Sequence, residues 1–323
     1  MIFFINDNTD PAFNLALEET LCAGFPEPVL MLWRNRSSVI VGRNQNTFAE
    51  VNAAYVKAHD ISVIRRMTGG GAVYHDTGNV NYSLIFHERQ PGADSFARFA
   101  RPVVKALCKL GAGAEFSGRN DILVQGRKVS GSAQCAMKDR TLFHGTLLFD
   151  VNMDMLSQVL TPRPVKMASK GVKSVRARVA NLKEFLPQMS VEGFIEALTE
   201  QLIPFAGEVQ PIPPEWLEKA RCLADERYRT WDWNWGGPFE SVWENECRFD
   251  GVGIVELKVK LLNGRIEESR ITGDFFGDPG HIEKLLEGAL FKKDEIAEVL
   301  KNISVKEHIK GLDNEMFLSL IEL

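Results

Sequence analysis

The chain has 323 residues, 45% of them hydrophobic and 25% charged, with a formal net charge of −5 and five cysteines. That composition fits one large globular domain plus a smaller one, and it offers no run of roughly 20 apolar residues such as a membrane span needs; the acidic balance also argues against general nucleic-acid binding. Five cysteines without a CxxC pair fit reduced, mostly buried thiols better than a disulfide framework or a zinc site, and Met1 to Asp7 carry neither a basic leader nor a small-residue cleavage site, so a cytoplasmic protein is expected.

Asp10-Pro11 reads as an N-cap and first helical residue, and Phe13, Leu17 and Leu21 at i, i+4, i+8 predict an amphipathic helix over 11–23. Val29 to Trp33 reads as a buried strand and Ser38 to Val41 as another. Arg43-Asn44-Gln45-Asn46 reads as a polar loop cap, and Thr47 with Glu50 has capping-box spacing ahead of a helix ending near His59.

Val63-Ile64 leads into the most informative stretch, Arg65 to Ser83, which reads RRMTGGGAVYHDTGNVNYS. Gly69, Gly70 and Gly71 lack Cβ, so they can adopt positive φ and let backbone amides approach a ligand, while Arg65 and Arg66 offer forked donors to phosphate. A glycine turn joining two strands is the alternative. Ala72 to His75 and Val80 to His87 read as strands joined by the turn Asp76-Thr77-Gly78-Asn79. His75-Asp76 invites a Ser/His/Asp reading, but no nucleophile elbow accompanies the pair and Ser83 lies along a predicted strand, so structure or substrate orientation is favoured.

Phe96, Phe99, Val103, Leu107 and Leu110 form one apolar stripe of a helix over 94–111, with Pro102 as a candidate kink. In Ser117 to Gln134, Gln125-Gly126-Arg127 reads as a hairpin turn that sets Asp121 and Lys128 on neighbouring strands among small residues. A lysine with room around it suits negative charge on phosphorus or a carboxylate, and an aspartate can hold magnesium through oxygen; an exposed hairpin with solvated charges is the alternative. Lys166 to Leu182, with Lys170, Lys173, Arg176 and Arg178, reads by itself as a solvated basic loop. The proline-rich stretch Ala206 to Pro214 and the aromatic run Trp231 to Trp235 approach a domain boundary. Beyond about residue 246, Val255, Leu257, Val259 and Leu261 alternate up to an Asn263-Gly264 turn, a return strand runs through Ile266 and Ile271, and helical patterns follow at Ile282 to Ala289, Ile296 to Leu300 and Met316 to Leu320.

Five ordered segments carry a resemblance: Arg65 to Ser83, Gly118 to Gln134, His144-Gly145-Thr146-Leu147, Lys173 to Leu182, and Trp231 to Gly236. Together they resemble lipoate-protein ligase A over nearly the whole chain; RRxTGGGxVxHD followed by GRND and a GRKxSG lysine is specific, whereas a glycine triplet alone is weak. The resemblance implies an α+β fold, a biotin/lipoate ligase-like catalytic domain of mixed β-sheets flanked by helices over 1–245, with a small α+β accessory domain over 246–323 that covers the adenylate. It implies an enzyme that activates free lipoate with ATP to lipoyl-AMP and then acylates a lysine of an acceptor lipoyl domain, on E2 subunits of 2-oxoacid dehydrogenases or on glycine cleavage H protein. Neither nucleic acid nor membrane is an expected partner, and no tightly bound prosthetic group is expected.

By that resemblance Lys128 is the central catalytic cation, on both α-phosphate and acyl oxygen. Arg66 and the backbone of Gly71, Ala72, Val73 and Tyr74 contact ATP, and Gly69, Gly70 and His75 lie beside the acyl group. Asp121 is the magnesium candidate. The apolar lipoyl chain needs an apolar slot, which Trp33 could line, a core tryptophan being the alternative. Basic residues around Lys170 to Arg178 could steer an acidic acceptor hairpin. Three rivals stand beside this reading: an octanoyl or lipoyl transferase working through a Cys135 thioester without ATP, a biotin ligase, whose glycine-arginine loop pattern is absent, and a lipoyl-domain binding subunit without activation chemistry.

Overall fold

The computed structural model describes residues 1–88, 93–117, 120–160, 179–236 and 241–321. They form two compact units, Met1–Gln45 with Ile61–Thr230, and Asn46–Asp60 with Trp231–Leu323. No helix among the described residues is long and apolar enough to cross a membrane.

The first unit is built on an eight-stranded mixed sheet. Its strands are β1 (Ile2–Asn6), β2 (Val29–Arg34), β6 (Asn79–Phe86), β7 (Ala114–Ser117), β8 (Asp121–Val124), β9 (Arg127–Met137), β10 (Arg140–Leu148) and β11 (Val209–Gln210), in the order β11-β1-β2-β6-β10-β9-β8-β7. β1 runs parallel to β2 and β11, and the other pairings are antiparallel. Alternation assigns the two faces. Leu30 and Leu32 of β2 and Tyr82 and Leu84 of β6 pack with Phe99, Val103 and Leu107 of helix α4 (Ala93–Lys109) and with Phe194, Leu198 and Leu202 of the helix Val191–Ala206. Trp33 and Ser83, one residue out of phase, face the other way, toward helix α1 (Pro11–Gly24), whose first turn is capped by the Asp10 carboxylate on Ala12 N at 3.2 Å.

A second, three-stranded sheet, β4 (Ser62–Arg65), β3 (Ser38–Val41) and β5 (Val73–His75), carries the glycine segment between β4 and β5. The strands expected as partners across Asp76 to Asn79 do not pair. β5 lies antiparallel to β3, whereas β6 lies between β2 and β10. The turn is a corner: Asp76 accepts from Gly78 N and Asn152 N, both at 2.9 Å, and Gly78 O accepts from Phe149 N and Asp150 N. The Gln125-Gly126 hairpin is present, with φ of 49° and 74°, the left-handed pair that a two-residue turn requires.

In the second unit β12 (Ser241–Phe249), β13 (Gly253–Leu262) and β14 (Arg265–Gly273) form an antiparallel sheet, with a second left-handed two-residue turn at Asn263-Gly264. Val255, Leu257 and Val259 cover Ile282, Leu286, Ile296 and Phe317 of the following helices. Two expectations change here. The boundary at residue 245 falls inside β12, which stays in register with β13 through Asn245↔Leu257 and Glu246↔Glu256. The helix expected from Thr47 to His59 is two short helices, α2 (Thr47–Glu50) and α3 (Ala53–Ala58), because Asn46 and then Asn52 each cap a new start. Phe48 packs on Trp235, Phe291 and Trp231 with ring centroids 5.1, 5.8 and 6.4 Å away, which draws residues 46–60 into the second unit.

Gly78 tests the corner. A Cβ there would lie 2.1 Å from Asp150 O, so Gly78→Ala must displace backbone. It should lower the unfolding free energy by about 1–3 kcal/mol, read as a lower urea midpoint at unchanged m-value.

Candidate active site

Arg65 and Arg66 stand at the exit of β4, where the period of two sends neighbouring side chains to opposite sides. The Arg65 guanidinium donates to the carbonyls of Gly42, Arg43 and Gln45 at 3.1, 3.1 and 2.7 Å and so holds the loop after β3. Arg65 is absent from the lining of the cavity described below. Arg66 donates to Ile40 O at 3.2 Å, to Gly69 O at 2.7 Å and to Gly71 O at 2.9 Å, and through Nε to Thr68 Oγ1 at 2.9 Å. The glycine segment is therefore folded around a guanidinium that itself lines the cavity below. Burial lowers both arginines to about 10, which leaves them charged at neutral pH. Gly70 has φ of 96°, and a Cβ on Gly42 would sit 2.1 Å from Gly70 O, so the two loops meet where only glycine fits.

A buried relay ties this loop to α1. Thr68 Oγ1 accepts from Arg66 Nε and lies 2.8 Å from His144 Nε2. Nδ1 of His144 then donates to the Glu18 carboxylate at 3.0 and 3.1 Å. Ser83 Oγ also donates to Glu18, at 2.5 Å, and accepts from Trp33 Nε1 at 2.7 Å. Glu18 is 1% exposed and Thr68 is fully buried. Ser83 is thus held in a network and is absent from the lining of the cavity below. Asp76 does not orient His75 either: its carboxylate serves backbone amides, and His75 Nδ1 faces Asn35 Nδ2 at 3.0 Å.

Between the glycine loop, β2, β9 and β10 lies a cavity of about 180 Å³. Of the residues expected at a site, Trp33, Arg66, Gly70, Gly71, Ala72, Val73, His75 and Lys128 line it together. Gly69 and Tyr74 do not: the Gly69 carbonyl is held by Arg66, and the buried Tyr74 ring reaches Ser37 Oγ at 3.3 Å. Asp121 stands behind the wall, its carboxylate 2.7 Å from Lys128 Nζ. A register shift opposite Ile122 and Leu123 leaves Val129 as an extra residue in β9, the bulge that re-aims side chains at a strand edge. Lys128 Nζ would be 2.8 Å from a Cβ on residue 131, so Gly131 keeps the space that this ammonium uses. Both partners of the pair are about a third exposed, at 36% and 35%.

Sequence reasoning missed several residues of the site. Leu15, Asn81, Asn120, Ser132 and Thr146 also line the cavity, and Glu18 and Thr68 hold its wall from behind. The signal for Glu18 was weak: it is one of four polar residues, with Asn14, Glu19 and Thr20, in a helix whose other residues are apolar or small. Cys135 is absent from the lining, and burial pushes its thiol up to about 11, which opposes formation of a thiolate. Among the described residues no group of three His, Cys, Asp or Glu side chains could hold a metal ion. Gly118, Arg119 and the basic segment from Lys170 to Arg178 lie outside the described residues.

The family described as lipoyl protein ligase A/B catalytic domain matches residues 10–203, and the one described as bacterial lipoate protein ligase C-terminus matches 240–321. Lipoate-protein ligase LplJ of Bacillus subtilis is 41% identical over 99% of this chain and 100% of its own length. A crystal structure of a lipoate-protein ligase A bound with ATP superposes with a TM-score of 0.64 at 30% identity, covering 73% of this chain and 98% of that one. The bipartite lipoate protein ligase of Thermoplasma acidophilum, described with its E2 lipoyl domain, gives a TM-score of 0.66 at 30% identity, covering 74% and 98%.

Burial, followed by the charges of Arg66 and His144, lowers His75 from 6.5 to about 3. Below pH 6.5 the unfolded chain takes up a proton that the folded ring refuses, so stability falls on acidification from 6.5 toward 3, by about 1.4 kcal/mol per pH unit for this group alone. His75→Gln removes the ionisable ring, and its unfolding free energy, measured in urea across that window, should fall less steeply by that amount.

Proposed function

The chain belongs to the lipoate-protein ligase family, and we propose that it joins lipoate to protein lysines in two steps, the first of which consumes ATP. In the first, a lipoate carboxylate oxygen attacks the α-phosphorus of ATP, the bond to the β-phosphate oxygen breaks, and lipoyl-AMP and pyrophosphate result. In the second, the ε-amine of an acceptor lysine attacks the acyl carbon, the C–O bond to AMP breaks, and the amine's proton leaves with the departing group or solvent.

The observation that carries the reading is the ammonium of Lys128 in the wall of a cavity whose opposite elements are the Arg66-held glycine segment and Trp33. A crowded phosphorus centre needs positive charge where negative charge grows, and a cation fixed there beforehand stabilises the transition state more than the ground state. Lys128 can serve the α-phosphate and acyl oxygen in the first step and the tetrahedral centre in the second, with no covalent enzyme intermediate. Arg66 and the backbone of Gly71, Ala72 and Val73 take the nucleotide; Gly70, His75 and the apolar edge of Trp33 take the acyl chain.

In this role Lys128 exchanges Asp121 for substrate oxygens, which frees a carboxylate at the cavity edge. Magnesium binds through one or two carboxylates plus phosphates and water, so a single aspartate fits a metal that arrives on the nucleotide and that neutralises phosphate charge there. The acceptors we propose are lipoyl domains of E2 subunits and glycine cleavage H protein, for which the E2 lipoyl domain described with the Thermoplasma ligase is support. A thioester route through Cys135 lacks both the position and the acidity it needs.

Lipoate-dependent exchange of labelled pyrophosphate into ATP tests activation without any acceptor. Lys128→Ala, a change at a partly exposed residue, should lower exchange by about 10²–10³-fold with an unaltered circular dichroism spectrum. Exchange within about threefold of wild type would remove the ammonium from the mechanism.

A further inference from the structure

Resting on the lipoate-activating reading, we propose that His75 donates a hydrogen bond from Nε2 to a carboxylate oxygen of the acyl substrate, and that Asn35 is the positioning residue that fixes its proton there.

The tautomer follows from a chain of asparagines. Asn14 Nδ2 lies 2.8 Å from the carbonyl of Asn8 and 2.9 Å from that of Arg34. Carbonyls only accept, so these contacts identify which end of the Asn14 amide is nitrogen. The same Nδ2 meets Asn35 Oδ1 at 2.9 Å, and Asn14 Oδ1 accepts from Asn6 Nδ2 at 2.8 Å. With its oxygen turned to Asn14, Asn35 presents Nδ2 to His75 Nδ1 at 3.0 Å. An amide NH₂ only donates, so Nδ1 carries a lone pair and the single proton of the neutral ring sits on Nε2.

That N–H is unused. His75 is 4% exposed, its ring lines the cavity, and Nε2 has no partner among the described residues. Arg66 and His144 are the charged and titratable groups that act on the ring, Lys128 lines the same cavity, and burial first of all holds the ring neutral, with its pKa down to about 3. A buried donor left unpaired is costly, so a ligand that supplies an acceptor is favoured. Sulfur accepts weakly, whereas a carboxylate oxygen accepts strongly with charge assistance, and on an otherwise apolar acyl chain it is the group that satisfies the site.

Asn35→Asp tests the assignment. The new carboxylate still accepts from Asn14 but demands a hydrogen from Nδ1, so the neutral ring turns a bare Nε2 toward the substrate. At about pH 8 the affinity for lipoate alone, measured by calorimetry, should fall roughly 10- to 100-fold while that for ATP alone stays unchanged. Toward about pH 6 the buried carboxylate favours a doubly protonated ring, Nε2–H returns and much of the affinity returns with it, a recovery that wild type lacks. Unchanged lipoate affinity at the higher pH, a loss that acid does not relieve, or a loss confined to ATP would each overturn the proposal. Should the variant fail to fold, ¹⁵N resonance of His75 in the wild-type chain decides: a neutral, Nε2-protonated ring is expected, and an Nδ1-protonated one refutes it. Wild-type protein that binds no lipoate would instead sink the ligase reading, and the tautomer measurement keeps the two failures apart.

Discussion

Two buried charges, the guanidinium of Arg66 and the carboxylate of Glu18, set the terms for the rest of the first unit. Neither can lie in the interior without partners at a cost of several kcal/mol, and they are not in direct contact. Thr68 and His144 bridge them. Adding Ser83 and Trp33, the network joins α1, β2, β6, β10 and the glycine segment. The run Gly69-Gly70-Gly71 has no side chains with which to define its own shape. Here the carbonyls of Gly69 and Gly71 are fixed by Arg66, and Arg66 by its route to α1.

The cavity wall therefore contains groups of two kinds. Arg66 and His75 are nearly sealed, with every direction they take set by backbone carbonyls or by side chains themselves anchored to carbonyls. Groups oriented in advance need no reorganisation when charge develops, which is where electrostatic catalysis gains most. Lys128 and Asp121 are a third exposed and hold one another. A surface pair of this sort is worth little and opens easily. The one cation that must change partners during the proposed reaction is thus placed where exchange is cheap, and the parts that must not move are placed where movement would strand a buried charge.

Local chemistry made much of this legible in the sequence. Asp10-Pro11 marked the start of α1, and the Gln125-Gly126 and Asn263-Gly264 turns fixed two hairpins, because each depends only on residues a few positions apart. Eight of the expected site residues do share one cavity, since the glycine segment and the strand bearing Lys128 each carry their own signals. What remained hidden depends on distant partners. Phe48 finds Trp235 and Phe291, so residues 46–60 leave the first unit, and nothing local to Thr47 says so. The Asp76 turn looked like a hairpin because its composition is that of one; the donors that its carboxylate finds, Gly78 N and Asn152 N, turn it into a corner between two sheets. Arg65 and Arg66 read as equivalent, and only the strand that precedes them separates a structural arginine from a cavity arginine.

Charge balance links the relay to the chemistry. Arg66 is answered by Glu18 across the relay, and Lys128 by Asp121, so each of these two cations of the described wall has a counter-charge behind it. His75 adds no charge. A cavity of this kind does not draw in polyanions by net attraction; it discriminates by geometry, through an ammonium that can be lent out and an N–H that waits for an acceptor. Under the proposed reaction the nucleotide must bring part of its own neutralisation, and the carboxylate that Lys128 releases is then the natural second partner for the cation that comes with it. The same arithmetic explains why a neutral histidine suits this wall: a protonated ring beside Arg66 would leave one buried positive charge unanswered whenever the acyl substrate is absent.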